Sequence, residues 1–265
     1  MRLDPKANQF QPFLGGISAD QVVFSKDGQS VAYVSYPDGI LWRANRDGSD
    51  RVQLTSSPLE PAGPAAWSPD GTQIIFMSPG YKAWIVPSHG GSPQRLVPED
   101  SGPEIFPSLS PDGRKVIFAT GLPGSSESHI RIIDTASHQI STLPGSDGKS
   151  APFWSPDGQS ILAPSLDLFT IYVFDIKTQH WSALNTGLHS YAVWSSNSRS
   201  IYFLRYPHDP AILRIPATGG EAKLVVSLKD FRFIGFRFGL DPTDTPLILR
   251  DVSTTDVYAL TLEEK

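Results

Sequence analysis

The chain is 265 residues long, contains no cysteine, and carries 22 basic against 27 acidic side chains, a net charge of −5. The missing cysteines exclude disulfides, thiolate metal sites and cysteine nucleophiles, and the mildly acidic balance argues against a dedicated nucleic-acid surface. Proline (24) and glycine (22) are too frequent for a helical protein, no apolar run is long enough for a membrane span, and the first residues show no signal-peptide core.

In chain order, Arg2-Leu3-Asp4-Pro5 resembles the strand end Ile132-Ile133-Asp134-Thr135, and residues 9–14 read as a strand without a unit of its own. Six units follow. Each opens on an apolar or aromatic residue and a tight turn: Phe24-Ser25-Lys26-Asp27-Gly28, Trp67-Ser68-Pro69-Asp70-Gly71, Leu109-Ser110-Pro111-Asp112-Gly113, Trp154-Ser155-Pro156-Asp157-Gly158, Trp194-Ser195-Ser196-Asn197-Ser198 and Leu240-Asp241-Pro242-Thr243-Asp244. The turns start at 25, 68, 110, 155, 195 and 241, in steps of 43, 42, 45, 40 and 46. Ser at i, Pro at i+1 and Gly at i+3 are type I turn preferences, suited to a short hairpin loop. Behind each turn stands an apolar run such as Ile74-Ile75-Phe76-Met77 or Ile201-Tyr202-Phe203-Leu204. A third run follows, such as Ile171-Tyr172-Val173-Phe174 or, in the last unit, Val257-Tyr258-Ala259-Leu260. A polar turn and a short fourth strand complete the unit. No segment of useful length has a helical period.

Four antiparallel strands recurring at this spacing make the blade of an all-β propeller, here six-bladed. The expected blades are 17–56, 62–98, 104–145, 149–186, 189–228 and 234–262 plus 9–14, in a single domain whose N-terminal strand closes the last blade. Because Val257–Leu262 already fills the last third-strand place, residues 1–7 are left either as an ordered tail or as the remnant of an earlier repeat in a longer protein.

Ser-Pro-Asp-Gly after an aromatic, with an apolar strand beyond it, resembles the WD40-like (PD40) repeat of TolB-type propellers. It also resembles the N-terminal propellers of prolyl oligopeptidase relatives. The tracts Phe13-Leu14-Gly15-Gly16 through Leu41-Trp42-Arg43 and Asp256-Val257-Tyr258-Ala259-Leu260 are similar to sensor-like propellers of bacterial winged-helix regulators. The resemblance implies a binding or sensing module, periplasmic in the TolB case, although a cytoplasmic home is also open.

Residues that recur in register are read as packing. Trp67, Trp154 and Trp194 share a repeat position with Phe24, Leu109 and Leu240, and Asp27, Asp70, Asp112 and Asp157 are turn formers whose spacing does not suit a calcium loop. Function is therefore sought in what does not repeat: the loops joining strands two and three, and those joining one blade to the next. Tyr36, Tyr81, Phe169 and Tyr206 fall in equivalent loops, with Lys82, Arg205, His208 and Asp209 beside them. Aromatic bodies with polar handles on one rim suit a binding surface for a peptide, protein or small polar ligand; the expectation is a protein or peptide partner, held by a monomer without catalysis or cofactor. Ordinary packing of loop aromatics over the blade tops is the competing explanation. No Gly-x-Ser-x-Gly elbow and no His-x-His or His-Glu-x-x-His spacing is present, so no catalytic or metal site is expected locally. The enzyme alternative is a metal-dependent lactonase- or lyase-like site assembled from several blades, with His189, His208, Asp209 and Glu104 converging at the channel mouth.

Overall fold

A computed structural model describes residues 1–59, 61, 65–97, 102–122, 125, 127–235 and 237–252. The chain opens with β1 (Arg2–Asp4) and β2 (Gln9–Gln11), followed by a single 3-10 turn at Leu14–Gly16. Blade 1 is β3 (Ala19–Phe24), β4 (Ser30–Ser35), β5 (Leu41–Asn45) and β6 (Val52–Gln53). Blade 2 is β7 (Ala66–Trp67), β8 (Gln73–Ser78), β9 (Lys82–Pro87) and β10 (Gln94–Arg95). Blade 3 is β11 (Ile105–Leu109), β12 (Lys115–Ala119), β13 (Ile130–Asp134) and β14 (Ile140–Thr142). Blade 4 is β15 (Phe153–Trp154), β16 (Ser160–Pro164), β17 (Thr170–Asp175) and β18 (His180–Asn185). Blade 5 is β19 (His189–Trp194), β20 (Ser200–Arg205), β21 (Ala211–Pro216) and β22 (Lys223–Ser227). Blade 6 begins with β23 (Gly239–Leu240) and β24 (Pro246–Leu247). All pairings are antiparallel, and first strands meet first strands of neighbouring blades (β3 with β7 and β23, β11 with β7 and β15), which puts them innermost. The fold is a six-bladed β-propeller.

The sixth blade has the order β2-β1-β24-β23, with Arg2 opposite Leu247. An N-terminal segment closes the ring, as expected, but it supplies two strands rather than one. The third place beside β24 belongs to Arg2–Asp4, so these residues are no loose tail; the run Val257–Leu260 expected there lies outside the described residues. A salt bridge fixes the register: the Arg2 guanidinium donates to Asp241 Oδ2 at 2.7 Å, and the Asp241 side chain is fully buried.

Each blade is held by its second strand. Val31–Val34, Ile74–Ser78, Val116–Ala119 and Ile201–Leu204 are buried without alternation, because neighbouring blades cover both faces of the sheet. That is why these runs read as continuously apolar rather than alternating. Phe76, Phe118 and Phe203 are wholly enclosed, and each such side chain stabilises the fold by about 1.5–3 kcal/mol.

The Ser-Pro-Asp-Gly turns form a second ring on one face. Gly28, Gly71, Gly113 and Gly158 donate their N–H to the carbonyl of the turn serine at 2.8–2.9 Å, with φ of +69° to +72°, where glycine carries no Cβ penalty. The Ser25, Ser68, Ser110 and Ser155 hydroxyls each donate to the aspartate two residues on at 2.6 Å. These bonds hold the Asp27, Asp70 and Asp112 carboxyls below the usual carboxylate range. Neighbouring turns also touch: the Asp157 N–H donates to Ser198 Oγ at 3.0 Å and the Ser196 N–H to Asp244 Oδ1 at 2.6 Å. The repeat tryptophans join blades, Trp67 Nε1 donating to the Val23 carbonyl and Trp194 Nε1 to the Phe153 carbonyl, both at 3.1 Å.

Candidate functional site

First strands run away from the inter-blade connections toward the turn ring. The second-to-third loops and the inter-blade connections therefore share the opposite face, here called the mouth face. The residues singled out from sequence fall on it unequally. Tyr36 and Phe169 are the free ones, 43% and 52% exposed. Tyr81 packs beside Met77, Ile105 and Ala119, and Tyr206 lies edge-on to Phe233 at 6.1 Å, against the core of the blade 5–6 seam. None of these four rings touches another among the described residues. Arg205 Nε donates to the Asp209 carbonyl at 3.0 Å, closing its own loop, while His208 and Asp209 stay exposed.

The four residues of the metal alternative are not gathered. No group of three or more His, Asp or Glu side chains able to hold an ion exists among the described residues. Glu104 is fully buried: Oε2 accepts the Ala83 N–H at 2.6 Å, and Oε1 accepts from Arg95 at 2.8 Å with Lys82 Nζ at 3.7 Å. It performs the task of Thr55 and Ser146, whose hydroxyls accept the N–H of Leu41 and Ile130 at the same strand position of blades 1 and 3. Lys82, with its ammonium on the Gly102 carbonyl at 2.7 Å, belongs to this tie. His189 occupies the corresponding place between blades 4 and 5: Glu104 N–H donates to the Tyr81 carbonyl and His189 N–H to that of Leu168. The His189 ring is 1% exposed, and burial holds its imidazole below the usual range.

The sequence points to the inter-blade loops around the channel mouth but does not single out the side chains that build it. β3, β11 and β19 each carry a register shift near their start, between Asp20 and Val22, Ile105 and Ser108, and His189 and Tyr191. At two of these bulges a non-glycine residue takes positive φ, Gln21 at 59° and Phe106 at 52°. Bulges re-aim side chains, and they concentrate near sites. From blade 3 to blade 6 a series of ring contacts links the inner strands: Phe106 to Phe153 at 6.4 Å, Phe153 to Tyr191 at 6.0 Å, and Tyr191 to Phe238 at 6.1 Å. The Arg237 guanidinium of blade 6 then lies over the Phe106 ring of blade 3, on the far side of the axis, at 5.7 Å. Asp20 of blade 1 feels the same guanidinium: burial raises its carboxyl above the ordinary range, and the Arg237 charge pulls it partly back. Burial pushes the Tyr191 phenol up to about 12, so it stays neutral. The sequence signal was present in Phe231-Arg232-Phe233 and Phe236-Arg237-Phe238, the most aromatic inter-blade stretch of the chain.

With this geometry in place, the chain can be set beside known structures. A chain provisionally described as TolB from Agrobacterium tumefaciens matches 90% of this chain and 92% of its own length, with a TM-score of 0.73 and 17% identity. The likeness is one of fold. TolB from Acinetobacter baumannii follows, with a TM-score of 0.63 and 16% identity over 88% of this chain, which spans 57% of that one. A chain of the nidogen/laminin complex gives a TM-score of 0.60 at 8% identity, covering 74% of this chain and 75% of its own. No protein-family model matches the sequence.

Proposed function

We propose that this propeller is a non-catalytic docking module that holds a protein or peptide partner on its mouth face. The observation that carries the reading is the pair of exposed aromatic side chains, Tyr36 and Phe169, standing on the same face as an axial mouth built from bulged inner strands. A few anchoring side chains carry most of the energy at protein interfaces, and aromatic rings are enriched there. Lys82, Arg205, His208 and Asp209 form the polar surround, and Tyr81 and Tyr206 contribute their outer edges from seats in the core. The resemblance to TolB-type repeats supports a periplasmic setting.

The test compares immobilised wild-type protein with a Tyr36→Ala/Phe169→Ala double variant. Surface substitutions of this kind leave stability within about 0.5 kcal/mol, so the melting transition should barely move while partner capture falls by tenfold or more. Undiminished capture by a folded double variant would show that the loop aromatics only seal the blade tops. Tyr81→Ala and Tyr206→Ala are unsuited to this comparison, because both remove packing from core clusters.

A further inference from the structure

The seam between blades 6 and 1 opens on the mouth face as a cavity of about 40 Å³, lined by Asp20 and Arg237 together with Leu14, Ile17, Phe238 and Ile248. Space of that size takes about three water molecules. Among the described residues, no hydrogen bond or ion pair within 4 Å reaches the Asp20 carboxylate; its electrostatic partner is the more distant Arg237 guanidinium. A half-buried carboxylate with no such contact is costly to the fold unless a ligand supplies one. We infer that this seam receives the free amino terminus of the docked chain, Asp20 pairing with the α-ammonium and Arg237 donating to the first carbonyl oxygen.

The pairing of charges selects this group. A lysine ammonium brings a positive charge alone and meets repulsion from Arg237. A chain terminus brings its ammonium with a carbonyl oxygen three bonds away, matching a carboxylate and a guanidinium that line one cavity. The apolar walls and the small volume restrict the first side chain to glycine, alanine or another small residue. This deepens the docking reading and rests on it.

Asp20 is faced by Arg237 from blade 6 and Tyr191 from blade 5, and the Met1 α-amino group donates to the Ile248 carbonyl at the far wall. The Asp20 carboxyl titrates above its unfolded value of 3.8, so the folded state binds the extra proton. Stability from this group is therefore present at low pH and lost as pH rises through the folded pKa. Asp20→Asn should raise the melting temperature at neutral pH while removing ligand binding, the combination expected of a residue kept for a site rather than for the fold.

The experiment titrates the full chain by calorimetry with tetra-alanine amide, its N-acetylated form, and free L-alanine. The free-terminus peptide should bind saturably, acetylation and Asp20→Asn should each weaken it at least tenfold, and affinity should fall as pH drops through the Asp20 titration. Equal binding of the acetylated peptide, L-alanine as tight as the peptide, or no saturable binding of any probe would overturn the assignment. Those outcomes leave the rim reading intact, because it fails only through the Tyr36→Ala/Phe169→Ala comparison.

Discussion

Glu104 shows how far a residue's chemistry depends on where its backbone sits. By type it is a metal ligand or a general base; in place it is a fully buried strap holding the Ala83 N–H, Arg95 and Lys82. Glu104→Ala leaves the Ala83 N–H without its acceptor and should destabilise the protein by about 2 kcal/mol. Glu104→Gln keeps an oxygen in position and should lose less than half of that, read by urea denaturation. Equal losses would mean that charge, and not the backbone contact, is what the seam needs. The sequence marks Glu104 and His189 as polar groups near the mouth, but nothing in their spacing says that the residue leading a first strand turns inward between blades. Asp20 is hidden for a related reason: it sits at a bulge, and an extra residue leaves no trace in a two-residue alternation.

The repeat tryptophans are the elements most legible in advance, since recurrence in register means a shared neighbour. The seams refine that reading. Trp67 and Trp194 reach a carbonyl of the preceding blade, whereas Trp154 Nε1, in the same repeat position, is buried without a hydrogen-bond partner among the described residues. Trp67→Phe should thus cost about 1 kcal/mol more than Trp154→Phe, which removes a donor that satisfies nothing. Paired denaturation curves give the comparison directly, and indistinguishable losses would show that the indole N–H groups contribute nothing at either seam. The Ser-Pro-Asp-Gly turns were equally readable, because serine, aspartate and glycine each answer a specific need of the hairpin: a hydroxyl to bridge, a carboxylate to accept, and a positive φ.

At the scale of the molecule, six units at nearly constant spacing were enough to give the number of blades. They did not show which segment fills the third place of the last one, because Arg2-Leu3-Asp4 and the run at 257–260 carry the same apolar pattern. The deciding contact is long-range: Arg2 finds the buried Asp241, and no local pattern encodes a partner at the other end of the chain. This closure builds the candidate site, since the blade 6–1 seam brings Asp20 to Arg237. Met1 and Ile248 exchange both backbone hydrogen bonds at 2.9 Å, so the next pair, Arg2 and Leu247, is a non-hydrogen-bonded pair. The pair after it in the same antiparallel register, Leu3 and Pro246, should have its Cα atoms about 5.5 Å apart, within disulfide range, and bridging it leaves the Arg2–Asp241 salt bridge in place. In a chain free of cysteine, the Leu3→Cys/Pro246→Cys variant has one possible intramolecular bond, and intact-mass analysis after mild oxidation reads it without ambiguity. Closure by the opening strands predicts a monomer lacking two hydrogens in nearly all molecules; free thiols or disulfide-linked dimers would contradict it.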